Sequence, residues 1–267
     1  MLFRSPVTTR TLQKRKQAGE KITMLTAYDF PTARLLDEAG IDIVLVGDSL
    51  GMAVMGHHDT LGVTMDQMVH HTRMVTRAVD NAFVVADMPF LSYQTNPEDA
   101  LRNAGRLVGA ACARAVKLEG PTGSFGEAIE AILRAGIPVM GHIGLTPQSV
   151  HRFGGYRVQG RSAEDRERLK EEALGLQEIG CFAVVLECMP AGLAAEITES
   201  LEIPTIGIGA GADCDGQVLV VHDMLGWGQT RFARTFTDVR AAMANAFEDY
   251  IREVKAGSFP AEEHTYE

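Results

Sequence analysis

The chain has 267 residues, of which 46% are hydrophobic and 22% are charged, a composition typical of a globular protein. This length suits one α/β barrel, since such barrels run to roughly 250 residues as a single unit. A net charge of -10 argues against a nucleic-acid-binding protein, which needs a basic face to release counterions from phosphates.

Short apolar runs alternate along the chain with longer amphipathic stretches, the pattern of repeated βα units. Predicted strands lie near residues 22–27, 41–46, 82–87, 113–119, 137–142, 182–187, 203–208 and 217–221. Predicted helices lie near 31–39, 66–80, 97–110, 124–135, 164–179, 191–200 and about 238–255. The strands are nearly continuous apolar runs, as in parallel strands covered on both faces. The pattern predicts a (βα)8 TIM barrel, and without a visible linker we expect one domain over residues 1–267.

The cellular location is predicted from features that the sequence does not contain. No apolar run approaches the roughly 20 residues that span a membrane, and the amino end has no signal-peptide core. The cysteines show no CxxC spacing, so buried thiols in a reducing compartment are expected. They are Cys112, Cys181, Cys188 and Cys214. We therefore expect a cytoplasmic protein without membrane contacts.

Six predicted strands each end on, or just before, a charged or metal-competent side chain. In chain order these are Asp29, Asp48, Asp87, Lys117 with Glu119, His142 and Glu187. The carboxyl ends of barrel strands meet at one face, where active sites are built. These residues are therefore expected to converge on one pocket. A carboxylate-rich pocket with one lysine and one histidine is typical of a Mg²⁺-assisted site.

Each of these residues also has a structural interpretation. Asp48 and Asp87 could cap the helices that follow them, since aspartate is a favoured N-cap. Lys117 and Glu119 point to the same face of their strand and could form a structural ion pair. His142 could simply pack in the core. Capping does not explain four carboxylates at four strand ends, however, so a Mg²⁺-assisted site is favoured.

The chemistry of the side chains suggests their roles. Mg²⁺ prefers oxygen ligands and takes few carboxylates, which Asp48, Asp87 and Glu119 could supply. Glu187 follows an otherwise apolar strand and is expected to face inward, where it could remain free as a general base or acid.

Several longer strings run in order along the chain. They are TAYD (26–29), VGDSLGM (46–52), ADMPF (86–90), VKLEG (116–120), GHIGLTPQSV (141–150), FGGYRVQGR (153–161), LECMP (186–190), IGIGAG (206–211) and GSFPAEEH (257–264). In this order and at these separations they closely resemble the ketopantoate hydroxymethyltransferase family. The resemblance runs from about residue 8 to residue 264, almost the whole chain.

The resemblance implies a barrel of the phosphoenolpyruvate/pyruvate type, usually assembled as a homodecamer. It implies a transferase that moves a hydroxymethyl group from 5,10-methylenetetrahydrofolate to 3-methyl-2-oxobutanoate, giving 2-dehydropantoate. The reaction would pass through a Mg²⁺-stabilised enolate and would serve pantothenate and hence coenzyme A biosynthesis.

The resemblance also implies roles for individual residues. The implied metal ligands are Asp48, Asp87 and Glu119. The implied keto-acid contacts are Asp48, Ser49, Asp87 and Lys117. Glu187 is the implied proton acceptor, and His142 is a candidate for holding a water or a carboxylate nearby.

The segment RFGGYRVQGRS, residues 152–162, is the longest interruption of the βα pattern. We call it the arginine loop. It is rich in glycine and is expected to be mobile or moulded to a partner, as barrel lids often are. Because it is basic in an acidic protein, we expect Arg152, Arg157 and Arg161 to contact the folate glutamate tail or a neighbouring subunit.

Two other functions compete with this one. A metal-dependent C–C lyase or mutase of the same barrel class would act on another 2-oxo acid and would need no folate. A catalytically silent barrel would serve as a structural or binding protein. The second is disfavoured, because a silent barrel has no reason to keep so many costly buried charges.

Overall fold

The computed structural model describes residues 5–228 and 230–266. Eight parallel strands pair in chain order, and the last pairs with the first to close a barrel. Strands β1 to β8 are Ile22–Thr26, Ile43–Val46, Phe83–Asp87, Ala115–Lys117, Val139–Gly144, Ala183–Glu187, Thr205–Ile208 and Gly216–Leu219. The predicted strands and the (βα)8 TIM barrel are confirmed.

Helices lie in each connection between successive strands except the one from β7 to β8. Helices α1 to α11 are Thr9–Ala18, Phe30–Ala39, Leu50–Ala53, Met65–Ala78, Pro97–Gly105, Thr122–Arg134, Val150–Phe153, Ala163–Glu178, Ala191–Ser200, Val221–Met224 and Val239–Ala256. Every predicted helix is present, but the one predicted over 97–110 is α-helical only to Gly105 and continues as a π-helical turn, Arg106–Ala110. Short 3-10 turns lie at Pro147–Ser149 and Glu262–His264.

The barrel interior is filled by apolar side chains from alternate positions of the strands. Ile43 and Leu45 of β2, Phe83 and Val85 of β3, and Met140 of β5 belong to one buried cluster. Because these side chains fill the centre, the barrel is a packed core, and polar groups are left for the strand ends.

Helix α1, which the sequence pattern did not predict, covers the amino ends of the strands. Its one buried side chain, Leu12, joins the barrel core. Arg15 lies 2.8 Å from Asp42, which precedes β2, and Lys16 lies 2.7 Å from Asp215, which precedes β8. A helix with one buried residue has no apolar stripe, so its periodicity gives no signal in the sequence.

The chain divides into two compact units, Met1–Val220 and Val221–Glu267. All eight strands lie in the first unit. The second contains α10, α11 and the last 3-10 turn. The expectation of one domain over residues 1–267 stays a prediction. Within the described residues, no helix is both long and apolar enough to cross a membrane.

The predicted burial of the cysteines is only partly right. Cys181 and Cys214 are buried, Cys188 is half-buried, and all are free thiols. Cys112 is free but exposed, so the prediction is wrong for this residue. It follows the π-helical turn and lies at the exposed start of the loop that leads to β4.

Gly144, the last residue of β5, lies against the main chain of β6. Its φ is 93°, and an added Cβ would overlap the carbonyl oxygen of Glu187. We expect Gly144→Ala to lower the free energy of unfolding by about 1–2 kcal/mol, because alanine is strained in the left-handed backbone conformation. The steric overlap should remove roughly a further 1–3 kcal/mol from the free energy of unfolding. Urea unfolding would measure the loss.

Gly136→Ala is the matched control, because its φ is 82° but no atom lies within 4 Å of the added Cβ. In this variant the free energy of unfolding should fall only by the backbone contribution. Equal losses for the two variants would contradict the role assigned to the contact between β5 and β6.

Candidate active site

Three neighbouring strands place two carboxylates and one ammonium group side by side at the carboxyl end of the barrel. Asp87 ends β3, Lys117 ends β4, and the two are register partners. Lys117 Nζ lies 3.0 Å from Asp87 Oδ1. Asp48 follows β2, and its main-chain N–H donates to Asp87 Oδ2 at 3.0 Å. The ion pair of Lys117 is therefore with Asp87, not with Glu119 as one interpretation of the sequence had it.

His142, on β5, brings two further carboxylates to this group. Its Nδ1 lies 3.6 Å from Glu119 Oε1 and 3.3 Å from Lys117 Nζ. Its Nε2 lies 3.2 Å from Oε2 of Glu187, the last residue of β6. Burial and Lys117 lower the pKa of His142, but its contacts with the two glutamates outweigh them and raise it to about 9. At neutral pH, Nε2 therefore carries a proton that faces Glu187.

The capping interpretation is wrong for Asp48 and Asp87. Helix α3, after Asp48, has no side-chain cap, and helix α5, after Asp87, is capped by Asn96. Asp29 does act as a cap, because its Oδ1 accepts the N–H of Thr32 at the start of α2 at 2.8 Å. Of the strand-end residues, Asp29 therefore has a local structural role.

The pocket holds more negative charge than its cations balance. Burial, followed by repulsion from Asp87 and Glu119, raises the pKa of the Asp48 carboxyl well above its ordinary value. Burial also raises the pKa of Asp87, although Lys117 opposes it. Burial acts on Glu119 too, but contact with His142 outweighs it and lowers the pKa of that carboxyl. A divalent cation would relieve this repulsion.

The donor set fits a hard cation such as Mg²⁺. The available donors are carboxylate oxygens, and Asp87 Oδ1 is buried with Lys117 Nζ at 3.0 Å but without a hydrogen bond to any other group. Both Glu119 oxygens are engaged, one facing His142 and the other accepting the N–H of Gln148. Among residues 5–228 and 230–266, no three His, Cys, Asp or Glu side chains are already grouped to hold a metal. Asp48 and Asp87 could bind such an ion directly, and Glu119 through water.

Ser49, the next residue after Asp48, is half-buried at the start of α3. Its Oγ lies 2.8 Å from the hydroxyl of Tyr28, a buried residue in the loop after β1. Burial raises the pKa of Tyr28, so the phenol stays protonated and can donate a hydrogen bond. The hydroxyl of Ser49 is thereby held by Tyr28, and its contact with a keto acid stays a prediction.

Three uncharged residues that the sequence analysis did not single out support this arrangement. Besides Tyr28, they are Tyr93 and Gln148. Gln148 Nε2 donates to Asp48 Oδ2 at 2.8 Å, and Tyr93 OH lies 2.9 Å from Gln148 Oε1. All of them lie in loops that follow strands, and polar uncharged residues are common in such loops. No charge or spacing therefore distinguishes them in the sequence.

The arginine loop crosses the same face of the barrel. The N–H of Gln159 donates to the carbonyl oxygen of Cys188, directly after β6, at 2.9 Å. The hydroxyl of Tyr156 lies 3.6 Å from Sδ of Met52, in the helix after β2. The side chains of the three arginines are exposed. The loop thus lies over the site, whereas its mobility and its partner stay predictions.

Solved structures with a similar fold include three enzymes. A phosphonopyruvate hydrolase in complex with oxalate and Mg++ has a TM-score of 0.64 and 14% identity, covering 96% of this chain and 93% of that one. The phosphoenolpyruvate phosphomutase of Streptomyces platensis subsp. rosaceus has a TM-score of 0.65 and 17% identity, with coverages of 97% and 92%. A 2,3-dimethylmalate lyase of the PEP mutase/isocitrate lyase superfamily has a TM-score of 0.60 and 16% identity, with coverages of 97% and 91%. They confirm the predicted barrel fold.

Sequence comparison gives a narrower result. The family model for ketopantoate hydroxymethyltransferase matches residues 6–262. The 3-methyl-2-oxobutanoate hydroxymethyltransferase of Clostridium novyi (strain NT) is 55% identical over 262 residues, covering 97% of this chain and 95% of the relative. The enzyme of the same name from Geobacter sulfurreducens is 56% identical over 258 residues, covering 96% of each chain. The chain belongs to the ketopantoate hydroxymethyltransferase family.

Proposed function

We propose that this protein transfers a hydroxymethyl group from 5,10-methylenetetrahydrofolate to 3-methyl-2-oxobutanoate, giving 2-dehydropantoate for pantothenate synthesis. Its family membership supports this reaction. The observation that carries the proposal is the position of Glu187, which is held by His142 near Lys117 and its carboxylate neighbours. Removing a proton next to the ketone of a 2-oxo acid needs a base beside groups that bind the acid.

Lys117 and Ser49 are suited to hold the carboxylate of the keto acid. The ammonium group of Lys117 has three donors, of which one faces Asp87. Because a protonated His142 cannot accept from Lys117, a donor of Lys117 is left for the substrate, and the hydroxyl of Ser49 lies two strands away, after β2. Holding the carboxylate at two points fixes which face of C3 meets the base and the one-carbon donor.

Glu187 is suited to accept the C3 proton. Its side chain is 14% exposed, against 3% for Glu119 and 4% for Asp87, so it is the one that a bound substrate can reach most easily. Nε2 of His142 lies 3.2 Å from Oε2 of this carboxylate and would orient it. Water releases the one-carbon unit from the opened folate as formaldehyde, with tetrahydrofolate as the leaving group. After proton removal, C3 forms a bond to the carbonyl carbon of this unit, and the resulting alkoxide takes up a proton to give 2-dehydropantoate.

The metal proposal concerns Asp48, Asp87 and Glu119. Asp48 and Asp87 would hold Mg²⁺ directly, and Glu119 would hold one of its waters, since both Glu119 oxygens already have partners. Mg²⁺ bound there would supply a Lewis acid for the ketone oxygen of the substrate. The solved hydrolase with oxalate and Mg++ supports this choice of metal.

The alternative, a C–C lyase or mutase acting on another 2-oxo acid, is less well supported. The lyase and mutase with similar folds share only 16% and 17% of their residues with this chain. Relatives at 55% and 56% identity carry the hydroxymethyltransferase name. A homodecameric assembly and a cytoplasmic location stay predictions.

The test is proton NMR of 3-methyl-2-oxobutanoate in D₂O with the protein. We expect loss of the C3 proton signal that depends on Mg²⁺, followed by 2-dehydropantoate when 5,10-methylenetetrahydrofolate is added. If neither exchange nor product appears with any divalent metal, the proposed reaction is wrong and the lyase alternative takes its place.

Glu187→Gln should slow C3 proton exchange by about 10²- to 10⁴-fold, because the amide keeps the shape of the side chain but cannot accept the proton. The Mg²⁺ concentration for half-maximal exchange should not change. Glu178→Gln, at the exposed end of α8, is the control and should behave as the unaltered protein. Normal exchange in Glu187→Gln would remove this residue from the role of base.

Glu119→Gln should change the Mg²⁺ requirement more than the maximal rate of C3 proton exchange. Because Glu119 is proposed to hold a metal-bound water, its loss should raise the half-maximal Mg²⁺ concentration by about 10- to 100-fold. The exchange rate at saturating Mg²⁺ should recover much of its unaltered value. A Mg²⁺ titration that superimposes on that of the unaltered protein would contradict a metal role for Glu119.

Replacing Arg152, Arg157 and Arg161 together by alanine should raise the KM for polyglutamylated folate or alter assembly. Their exposed positive charges lie over the site in an acidic protein. The KM for the keto acid should not change. A charge-matched control replaces the exposed Arg10, Lys14 and Arg77. Normal folate KM together with normal sedimentation would reject both expectations for the arginine loop.

A further inference from the structure

Gln148 contacts the strand-end carboxylates at two points. It is buried in the 3-10 turn Pro147–Ser149, which follows β5. Its side-chain Nε2 donates to Asp48 Oδ2 at 2.8 Å, and its main-chain N–H donates to Glu119 Oε2 at 2.9 Å. One neutral residue therefore holds two carboxylates that repel each other, without adding charge to the pocket.

The hydrogen bonds allow the Gln148 amide only one orientation. Its Oε1 accepts from the hydroxyl of Tyr93 at 2.9 Å and from Nε2 of Gln94 at 3.0 Å. Its Nε2 donates to the carbonyl oxygen of Met88 at 2.9 Å as well as to Asp48. A flipped amide would place its oxygen against these two acceptors, so the surroundings direct the donor toward Asp48.

Tyr93 connects this amide to the end of β4. Its ring is buried and packs edge-on against Phe125, with the ring centroids 5.3 Å apart. Its hydroxyl accepts the N–H of Glu119 at 3.1 Å and lies 2.9 Å from both the carbonyl oxygen of Glu119 and Oε1 of Gln148. One hydroxyl thus fixes Glu119 and Gln148 relative to each other.

We propose that Gln148 is a positioning residue for the metal site and that Tyr93 fixes the orientation of its amide. This rests on the proposed function, because it takes Asp48 as a metal ligand. By engaging Oδ2 of Asp48, the amide leaves Oδ1 to the metal ion. It also holds Asp48 and Glu119 in place before the ion arrives, so less rearrangement is needed on binding.

The test measures Mn²⁺ binding to the metal-free full chain by electron paramagnetic resonance, without substrate. Gln148→Met keeps the length of the side chain but removes its donors, and should weaken Mn²⁺ binding by about 10- to 100-fold. Tyr93→Phe removes only a hydroxyl while Gln94 still holds the amide. It should weaken binding by about 2- to 10-fold. In both variants, C3 proton exchange should recover at saturating Mg²⁺.

Thr205→Val is the control for a general loss of stability. It removes a hydroxyl that donates to Asp215 at 3.1 Å, at the start of β7 and away from the carboxyl ends of the strands. It should lower the Tm and leave Mn²⁺ affinity unchanged. Unaltered Mn²⁺ affinity in Gln148→Met and Tyr93→Phe would overturn the proposal. An equal loss of Mn²⁺ affinity in Thr205→Val would also overturn it, as would the absence of Mn²⁺ binding by the unaltered protein. Mn²⁺ binding that follows the expected order, without hydroxymethyl transfer, would support this proposal and reject the proposed function.

Discussion

Asp48, Asp87 and Glu119 share one small buried space with Lys117 and His142, and the repulsion among the carboxylates governs the rest of the site. Buried charges are costly unless they are paired and hydrogen-bonded. Lys117 pairs with Asp87, and Asp48 receives a hydrogen bond from a neutral amide. Burial raises the pKa values of both aspartates, and these partners do not balance the negative charge that remains. The remaining imbalance makes this end of the barrel a place for a cation and for the polar end of a 2-oxo acid.

Other buried or half-buried carboxylates of the protein, Asp37, Asp42 and Asp215, are well compensated. Burial raises the pKa of Asp37, but hydrogen bonds from three successive main-chain N–H groups outweigh it and lower the pKa. Asp42 has Arg15 at 2.8 Å and Asp215 has Lys16 at 2.7 Å, both at the amino end of the barrel. The unbalanced carboxylates are therefore not a general feature of this fold. Their position at the carboxyl ends of the strands indicates a role in binding or catalysis, whereas the compensated carboxylates stabilise the fold.

The sequence predicts those parts of the molecule whose hydrophobic pattern is strong and local. The apolar runs reveal the strands, and closing parallel strands into a barrel brings their charged ends together. The role of a particular carboxylate is harder to predict, since Asp29 and Asp48 both follow strands and only Asp29 caps a helix. That difference depends on the turn geometry after each strand, which residue type alone does not set.

The uncharged supports of the site could not be predicted for a different reason. Gln148 acts on a residue 100 positions away, and Tyr93 acts on Gln148 from 55 positions away. Such contacts form only after the barrel has closed, and a glutamine or tyrosine in a loop has many equally plausible uses. Helix α1 escaped prediction because only Leu12 is buried and its main contacts are ion pairs.

Strands and loops contribute differently to this site. Sheet register sets Asp87 beside Lys117, and Gly144 beside Glu187, so the barrel sheet itself places these charged groups. Loops supply the groups that orient them, namely Ser49, Tyr93 and Gln148. Barrels that share this fold at 14% to 17% identity carry the names of a hydrolase, a mutase and a lyase. A barrel in which strands position the charges and loops orient them can change its reaction by changing its loops, while its core continues to hold the fold together.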